Sequence, residues 1–579
     1  MTRTCPPLAV RAPWRRALRH PLVAVALAVY VFAWFGTLEY RELFVPDEGR
    51  YAEIPREMAA GGDWVVPHLN GLPYLEKPPL QYWTSAVIFK ALGEDEWSAR
   101  LWPALTGFLG VLAVFFAGSR LFGRRAGVLA ALLAASTLEY VVLSQVLTLD
   151  MGLTFFLSAA VFCLLLAQRE AIDDRRRHAW MFGAWAMMGL AVLSKGLIGV
   201  VLPALALAAY VAVERDASVL RRLHWRSGLA VLVALTVPWF VAMQVRVPEF
   251  FDFFFVREHL QRYTMPAHHR PGPWYYFVVM FAVGALPWTL PYLRAWRQGL
   301  ARAAVDGRSF DSGRFLALYA LVVLIFFSLS QSKLPAYILP MFPALALLGG
   351  RELATRGAGA TRDAVASLAV FAGLLAVLAA VLPAGASFAE EAPYLAQYWP
   401  WVFAAAALAG VAALAAQRRF RARHRLRAVA LVAAGAFGAQ LLLVNGAQVF
   451  AERFSTEQLV LDAESRWGAL DDTAPFYSVE LYDQTLPMHL GRTLTLVAWR
   501  DELDEGLRLH PAGGLPDLDA FRRAWLEARQ AYAVMRPERF AAERAAGLPM
   551  TELARDARYV IVARSEILHA AAPRRRTVW

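Results

Sequence analysis

The chain has 579 residues, of which 58% are hydrophobic, 13% are aromatic and only 18% are charged. Ordinary soluble domains are about one-quarter charged, so this composition excludes a soluble multidomain enzyme. Lys and Arg outnumber Asp and Glu by 59 to 47, and the resulting net charge of +12 would raise the question of nucleic acid in a soluble chain. The apolar residues instead come in blocks of about 20, the length of one bilayer crossing. We therefore predict a membrane protein, surrounded by membrane lipids and without a nucleic-acid partner.

Thirteen blocks are long and apolar enough to be candidate spans. They lie near residues 21–38, 98–118, 126–146, 151–167, 179–193, 197–213, 227–245, 274–292, 315–331, 335–350, 364–383, 398–416 and 428–447. If the N-terminus is cytoplasmic, the inner connections hold 30 Arg and 9 acids, and the outer ones hold 11 Lys+Arg and 17 acids. Basic loops resist translocation, so this asymmetry predicts a multi-pass inner-membrane protein with its N-terminus in the cytoplasm. The run 417–427, with six arginines and no acid, is the clearest marker.

Two outer loops are long enough to carry structure of their own. The first, 39–97, has short apolar-sided stretches at 51–60 and 80–92, which suit helices lying in the interface plane. The second, 246–273, contains a cluster of phenylalanines at 250–255 that is another candidate interfacial element.

The composition changes after the last span. Ser455 and Gln458 stand at capping-box spacing at the start of an amphipathic stretch over 455–470. Strand-like runs and helical stretches then alternate: the strands fall at 476–482, 493–498, 531–535 and 559–563, and the helices at 518–530 and 537–546. We predict a transmembrane domain over 1–447 and a periplasmic α/β domain over 448–579.

Several charged residues stand at membrane depth on the predicted outer face. Asp150, Lys195 and Lys333 occupy very short outer connections, and the first outer loop adds a set consisting of Asp47, Glu48, Arg50, Glu76 and Lys77. A lone charge inside a span costs roughly 2.5–3.5 kcal/mol, so such a residue normally faces a cavity or a partner. Short polar turns also need some charge, which explains any one of these residues equally well. Their collective placement on one face favours a site.

Bases beside apolar walls at this depth suit a phosphate head group whose lipid tail stays in the bilayer. Nearby carboxylates can orient a sugar hydroxyl or amine, or accept a proton. The set therefore fits transfer of a group from a lipid phosphate, and it also fits a proton-coupled transporter. The large outer loop and the appended domain favour the enzyme, because transporters usually place their sites at the midplane between internal repeats.

Two motifs of the first outer loop resemble those of a known superfamily. They are Pro46-Asp-Glu-Gly-Arg50-Tyr-Ala-Glu and Tyr74-Leu-Glu-Lys-Pro-Pro-Leu-Gln-Tyr-Trp83, and further matches are Leu147-Thr-Leu-Asp150, Ser194-Lys-Gly196, Glu258-His-Leu-Gln-Arg262 and Ser332-Lys-Leu-Pro-Ala-Tyr337. They resemble the GT-C glycosyltransferases that use polyprenyl-phosphate sugars, which include the protein O-mannosyltransferases. The run Phe476-Tyr-Ser-Val-Glu-Leu-Tyr-Asp-Gln-Thr-Leu-Pro487, followed by Leu490-Gly-Arg-Thr493, resembles the lipid A aminoarabinose transferase branch specifically.

The resemblance implies a GT-C fold with thirteen transmembrane helices. It implies transfer of 4-amino-4-deoxy-L-arabinose from undecaprenyl phosphate to the phosphate groups of lipid A, with resistance to polymyxin and other cationic peptides. Matched residue by residue, Asp47 and Asp150 correspond to acids critical for activity, and Lys77, Arg262 and Tyr337 to positions that hold the carrier phosphate. The same motifs place Arg50 and Tyr74 close by, and Lys195 and Lys333 join the substrate-binding candidates by their charge and depth.

A lipid A phosphate is already an anion at neutral pH and needs no general base. We therefore expect Asp47 to orient the sugar or the acceptor, for instance by pairing with the donor's amine, while Lys77 and Arg262 stabilise the leaving phosphate. The same early motifs fit a transferase with another sugar or a protein acceptor. The charges alone also fit a transporter of lipid-linked sugars.

The histidines of the second outer loop raise the question of a metal. A divalent ion such as Zn²⁺ is chemically reasonable, because zinc accepts histidine and carboxylate ligands. Its ligands would be Glu76 and one or two of the histidines His268, His269 and His259. No fixed ligand spacing supports it, and a bound ion could equally be structural or adventitious. The prediction therefore requires no cofactor, and the chain shows no nucleotide-binding loop.

Overall fold

The computed structural model describes residues 21–169, 173–261, 272–301, 310–385 and 392–564. Up to residue 446 the described chain is almost wholly helical, as expected where backbone groups must satisfy one another within a bilayer. Its α-helices are α1 (Pro21–Gly36), α2 (Asp47–Gly61), α3 (Leu80–Leu92), α4 (Glu96–Leu121), α5 (Arg124–Ala134), α6 (Leu138–Ser144), α7 (Asp150–Ala167), α8 (Asp174–Lys195), α9 (Ile198–Glu214), α10 (Ser218–Arg221), α11 (Trp225–Arg246), α12 (Tyr276–Gly284), α13 (Thr289–Ala301), α14 (Ser312–Leu329), α15 (Met341–Arg356), α16 (Ala358–Gly385), α17 (Ala392–Arg421) and α18 (Arg425–Gly446). A π-helix, Asp252–Gln261, and a 3₁₀ turn, Pro335–Ile338, interrupt the series.

The helices confirm a polytopic membrane fold. Among the described residues, seven helices are long and apolar enough to cross a membrane, and up to nine if each of two bent pairs is one span. Each of the thirteen predicted blocks coincides with a helix or a broken helix, although the number of crossings stays a prediction. Helices are present at the predicted positions 51–60 and 80–92, as α2 and α3, and their location at the membrane interface stays a prediction.

Two predicted spans are broken where we expected continuous helices. The block 126–146 divides into α5 and α6, which meet at 65°, and the block 274–292 divides into α12 and α13, which meet at 117°. At the first break, the hydroxyls of Ser136 and Thr137 donate to the carbonyls of Leu132 and Leu133, at 2.6 and 2.8 Å, and so compete with helix continuation. At the second break, Pro287 removes a backbone donor.

The two breaks lie against each other. Leu138 N donates to the Leu286 carbonyl at 2.8 Å, and the Thr137 and Tyr292 hydroxyls are 2.7 Å apart. Trp288 Nε1 also donates to Ser136 Oγ at 3.0 Å. A backbone N–H freed at the first break is thus satisfied by a carbonyl at the second, in the way that non-helical backbone inside a membrane is tolerated.

The C-terminal part contains a mixed six-stranded sheet. Its elements, after a hairpin β1 (His68–Leu69) and β2 (Leu72–Pro73) in the first outer loop, are α19 (Ala451–Phe454), α20 (Glu457–Trp467), β3 (Phe476–Val479), α21 (Leu486–Leu490), β4 (Thr495–Val497), α22 (Asp504–Leu509), β5 (Gly514–Leu515), α23 (Leu518–Glu527), β6 (Ala531–Met535), α24 (Pro537–Ala545), β7 (Thr551–Arg555) and β8 (Val560–Arg564). The strand order is β5-β4-β3-β6-β8-β7, parallel from β5 to β6 and antiparallel beyond it. The α/β character expected from the sequence is confirmed.

The expected capping box does not form at the start of α20. Ser455 Oγ accepts from Glu457 N at 3.2 Å, and Gln458 Nε2 donates forward to Asp462 at 2.9 Å instead of back to the cap. The start of α20 is instead stabilised by a residue outside the helix, because the Thr456 backbone N–H and hydroxyl both form hydrogen bonds with the Thr485 hydroxyl. A tertiary contact thus replaces the local one.

The sheet and the first outer loop share one hydrophobic core. It joins Tyr51 and Tyr82 of the loop helices to Leu459, Leu486 and Tyr532 of the C-terminal part. The C-terminal part is therefore packed directly onto the helix that carries the Pro46–Arg50 motif. We call the end of the bundle that holds this core the site end, and the opposite end of α4 the far end; the 26 residues of α4 separate them by about 39 Å at 1.5 Å per residue.

Candidate active site

Asp47 and Arg50 lie one turn apart at the start of α2. Asp47 Oδ1 accepts from Arg50 Nη1 at 3.2 Å, and its side chain remains 39% exposed. Arg50 is buried and also pairs with Glu502 of the C-terminal part. Gln484 Nε2 donates to the same Glu502 carboxylate at 2.5 Å. The C-terminal part therefore fixes the arginine, while Asp47 keeps an open side.

The contact between α2 and the C-terminal part requires a glycine at position 49. A Cβ added at Gly49 would lie 2.6 Å from the carbonyl carbon of Gln484 and 2.7 Å from Thr485 N. Such distances leave no room for a side chain, so the backbone of α2 and the segment around Gln484 touch directly.

Gly49→Ala is expected to push the C-terminal part away from α2 and to lower both the apparent melting temperature and the transfer rate. Overpacking of this kind typically costs about 1–3 kcal/mol. Gly61→Ala is the matched control, because Gly61 ends the same helix and a Cβ added there would meet nothing within 4 Å. Thermal unfolding of the two purified variants checks the prediction, and equal melting temperatures would contradict it.

Glu48 ties the Asp47 helix to the start of the Asp150 helix. Its carboxylate accepts from Arg41 at 2.6 Å, from Arg100 Nε at 2.8 Å and from Leu147 N at 3.0 Å. All three side chains of this ion cluster are buried. Burial alone would raise the pKa of Glu48, but Arg100 and Arg41 outweigh it and hold the pKa well below its usual range. Because the Leu147–Asp150 connection is hydrogen-bonded to this carboxylate, Glu48 positions both Asp47 and Asp150.

Lys77 is held by two carboxylates. Its Nζ lies 3.5 Å from Glu76 Oε2 and 3.4 Å from Glu258 Oε2, and it donates to the Glu76 carbonyl at 3.1 Å. Glu258 comes from the π-helix of the second outer loop. Lys77 therefore lies at the junction of the two outer loops. Its positive charge is balanced by two carboxylates, which an anionic ligand would have to displace.

Tyr74 brings a neutral hydroxyl to the same region. The side chain is buried, and its hydroxyl has no hydrogen-bond partner among the described residues. Burial raises the pKa of Tyr74 well above its usual value, and the Glu76 carboxylate adds to the shift. The phenol therefore stays protonated at neutral pH and can donate to an oxygen of a ligand.

Asp150, Lys195 and Tyr337 form a second group at the site end. Asp150, the first residue of α7, pairs with Lys195, the last residue of α8. The Lys195 ammonium also lies 5.0 Å from the centre of the Tyr337 ring, within cation–π range. Gly196 follows with φ +97, and a Cβ there would lie 2.9 Å from His259 Cε1. This glycine lets the histidine of the π-helix close against the lysine connection.

Lys333, predicted to bind substrate because of its charge and depth, makes several contacts within the fold itself. Its ammonium donates to the carbonyls of Ser328 and Ser330, at 3.0 and 2.9 Å, and lies 5.6 Å from the centre of the Phe277 ring. Phe277 in turn stacks on Tyr337, with ring centres 6.4 Å apart. Lys333 therefore caps the end of α14 and supports the aromatic wall beside Tyr337.

The phenol of Tyr51 lies within electrostatic range of Asp47, Arg50 and Glu76 of the first outer loop and also of Asp150 in the second group. The structure thus brings together the predicted residues Asp47, Arg50, Tyr74, Glu76, Lys77, Asp150, Lys195, Lys333 and Tyr337 at one end of the bundle. Arg262, His268 and His269 lie outside the described residues.

The metal prediction for Glu76 stays a prediction for the same reason. Within the described ranges, the group of three potential ligands close enough to hold a metal is a different one, Glu96, Glu457 and His489, whose ligand atoms lie within 4.8 Å of one another.

Sequence reasoning missed three residues of the site, Glu258, Phe277 and Glu502. It named Glu48 among the charged residues of the outer face but assigned it no role. Glu48 and Glu258 stand inside motifs that drew attention for their neighbours. Glu502 stands in an acidic stretch of the C-terminal part, and no local pattern distinguishes it from the acids beside it.

Two protein families match parts of the chain. The family described as aminoarabinose transferase C-terminal domain matches residues 467–564, and the dolichyl-phosphate-mannose-protein mannosyltransferase family matches residues 22–254. The first match covers the mixed sheet, and the second covers the helix that carries Asp47 and the helix that carries Asp150.

Two named relatives match somewhat more than half of the chain. The undecaprenyl phosphate-alpha-4-amino-4-deoxy-L-arabinose arabinosyl transferase of Pseudomonas aeruginosa (strain LESB58) is 35% identical over 349 residues, which are 58% of this chain and 60% of that protein. The protein of the same name from Aeromonas hydrophila is 33% identical over 323 residues, 55% of this chain and 57% of its own. The matched region thus spans less than two thirds of these relatives.

Two solved structures match nearly the whole chain. The crystal structure of ArnT from Cupriavidus metallidurans bound to undecaprenyl phosphate superposes with a TM-score of 0.89 at 35% identity, covering 96% of this chain and 100% of that one. The apo form of the same protein gives a TM-score of 0.86 at 36% identity, covering 94% and 98%.

Proposed function

This chain belongs to the ArnT family of aminoarabinose transferases, and on that premise we propose that it is a glycosyltransferase moving 4-amino-4-deoxy-L-arabinose from undecaprenyl phosphate to the phosphate groups of lipid A. The observation that carries the proposal is the match, over 96% of this chain, to a family member whose structure was solved with bound undecaprenyl phosphate. The gathering of Asp47, Lys77, Asp150 and Tyr337 at one end of the bundle supports it. Adding a cationic sugar to lipid A lowers the negative charge of the cell surface, which accounts for resistance to polymyxin and other cationic peptides.

In the proposed reaction, an oxygen of the lipid A phosphate bonds to the anomeric carbon of the sugar. The bond from that carbon to the carrier phosphate breaks, and its electron pair stays on the carrier phosphate. Neither step needs a proton to be removed from the acceptor. The enzyme's main task is to stabilise the charge that develops on the leaving phosphate and to hold the two substrates in line.

We assign the leaving phosphate to Lys77 and Tyr337, with Arg262 as the third member from the family resemblance. Lys77 is bound by Glu76 and Glu258 at 3.4–3.5 Å, distances that a phosphate oxygen can readily improve on. Tyr74 and Arg50 stand next to this position. Asp47, the exposed carboxylate, orients the sugar or the acceptor, while Asp150 holds Lys195 against Tyr337.

The charge asymmetry between the loops supports placing the site end in the periplasm, with the N-terminus in the cytoplasm. Donor and acceptor lipids both reach this end through the outer leaflet. We expect transfer to need no metal, since bases already stand where charge develops. Chelation that abolishes transfer, with restoration by Zn²⁺ and loss of metal binding in Glu76→Gln, would overturn that expectation.

The decisive experiment is mass spectrometry of lipid A from cells with and without the gene. A mass increase by one aminopentose, present only with the gene, supports the proposal. Unchanged lipid A with altered glycoproteins would instead indicate a protein acceptor. Transfer in proteoliposomes supplied with both substrates on the outer side alone would exclude a lipid-linked-sugar transporter, whose action needs passage across the bilayer.

Lys77→Ala is expected to weaken binding of undecaprenyl phosphate by about tenfold or more, because one charge-assisted contact to phosphate is lost. Binding of the carrier to the purified variant measures the effect. Lys90→Ala is the matched control: Lys90 is an exposed lysine of the same outer loop, and its ammonium lies over Trp64. Equal affinity of the two variants would remove Lys77 from the phosphate site.

A further inference from the structure

The far end of the bundle contains a cleft that the transfer reaction does not use. It has a volume of about 460 Å³ and is lined by Arg125, Arg423, His424, Arg425, Leu426 and Arg427. Arg125 stands in the first turn of α5, and the other five residues form the turn from α17 to α18 and the first turn of α18. Four arginines and a histidine thus converge from two separate parts of the chain, with no acid among the lining residues.

The turn from α17 to α18 holds its basic residues in a defined arrangement. Arg423 N donates to the Phe420 carbonyl and His424 N to the Arg419 carbonyl, both at 2.9 Å. Arg423 takes φ +61, a left-handed conformation that reverses the chain within a few residues. The cleft is therefore built on a fixed turn between two long helices.

Arg425 is fixed from the opposite side. A Cβ added at Gly357 would lie 3.4 Å from the Arg425 Cζ atom, so the guanidinium packs on the bare backbone between α15 and α16. Gly357 itself has φ +61. A third part of the chain thus contacts Arg425, one of the residues that line the cleft.

The arginines of the cleft are not neutralised by neighbouring acids of the described chain. Some other arginines of the predicted inner connections do form ion pairs: Arg177 with Asp174, Arg314 with Glu214, and Arg356 with Glu352. Within the described residues, none of the four arginines of the cleft forms an ion pair with a carboxylate. The positive-inside rule requires basic loops, but it does not require arginines from separate parts of the chain to line one open cleft.

We propose that this cleft binds the phosphate head group of an anionic glycerophospholipid of the inner leaflet. Arginine binds phosphate bidentately, and basic pockets between membrane helices on the cytoplasmic side suit such head groups. Leu426 is 49% exposed and lines the same cleft. It can therefore contact the apolar part of a lipid, which a free anion does not have. The site lies a membrane thickness from the Asp47 region and is independent of the transfer reaction.

The test uses the purified full-length protein, stripped of lipid and titrated with phosphatidylglycerol, phosphatidylcholine or inorganic phosphate by native mass spectrometry. The variant R423Q/R425Q/R427Q removes three charges from the cleft. The control R418Q/R419Q/R421Q removes three charges from the end of α17, close by in the sequence, without touching the lining. We expect the wild type and the control to bind phosphatidylglycerol alike and the cleft variant to bind it at least tenfold more weakly.

An equal loss in both triple variants would overturn the proposal in favour of diffuse surface charge. Equal binding of phosphatidylcholine and phosphatidylglycerol by the wild type would overturn it too. Inorganic phosphate that binds as tightly as the lipid would show a soluble-anion site instead. If the cleft triple variant does not fold, R425Q alone and the charge-conserving R423K/R425K/R427K take its place, and both must weaken lipid binding because lysine cannot bind phosphate bidentately.

Discussion

Asp47→Asn is expected to lower the rate of sugar transfer about 100-fold, the size of effect that misplacement of a reacting group produces. The carboxylate is the exposed member of the Asp47–Arg50–Glu502 group, so its free side is open to a substrate. Asparagine keeps the shape but cannot pair with a cationic amine or hold Arg50 by charge. The rate of aminoarabinose transfer by the purified variant, with both lipids supplied, is the measurement.

Stability should be nearly unchanged in this variant, because a partly exposed ion pair contributes about 0–1 kcal/mol. Asp519→Asn is a close control: Asp519 also stands in the first turn of a helix and also pairs with an arginine three residues on, at 2.9 Å. Its rate should equal that of the wild type. A normal rate in Asp47→Asn would sink the role assigned to Asp47.

Glu48→Gln is expected to destabilise the fold by about 3–5 kcal/mol, the usual cost of removing one partner from a buried ion pair. Glutamine leaves Arg41 and Arg100 buried with no compensating charge. It also weakens the bond to Leu147 N that positions the connection to Asp150. The apparent melting temperature and the yield of folded protein should both fall, and transfer should fall with them.

The effect has a defined pH dependence. The folded pKa of Glu48 lies well below its usual range, so the stability contributed by the ionised carboxylate is fully present above the unfolded pKa of about 4.3. It is lost as the pH falls through the folded pKa. The difference between wild type and Glu48→Gln should therefore be constant from about pH 5 to 8 and narrow only below about pH 4. Glu39→Gln, an exposed acid of the same connection, should show no such difference.

Local patterns predicted the elements that are long or repetitive. The strands over 476–482, 493–498, 531–535 and 559–563 correspond to β3, β4, β6 and β8, because alternating apolar residues between turn signals are visible along the chain. The strands β5 and β7 were missed. β5 has two residues, too few for an alternation, and β7 lies at the sheet edge, where only one side needs apolar residues.

The sequence motifs predicted most residues of the site, but they did not predict the contacts with partners that are distant in the sequence. Glu48 and Asp47 are adjacent acids, yet one is buried between Arg41 and Arg100 and the other faces outward. No period in the sequence reveals that Arg100 returns to this point from α4. Likewise, Lys333 carries the expected charge at the expected depth, but its use by two carbonyls at the end of α14 follows only from how the chain folds back.

Because Arg50 pairs with Glu502, the site is complete only after the C-terminal part has been synthesised. Translation delivers Asp47 and Arg50 to the membrane early, but Glu502 and the Gln484 segment leave the ribosome only after every helix up to α18. Throughout synthesis the nascent chain sits among lipid substrates with an unfinished site. A prematurely terminated product, which lacks Glu502, is therefore expected to be inactive in sugar transfer.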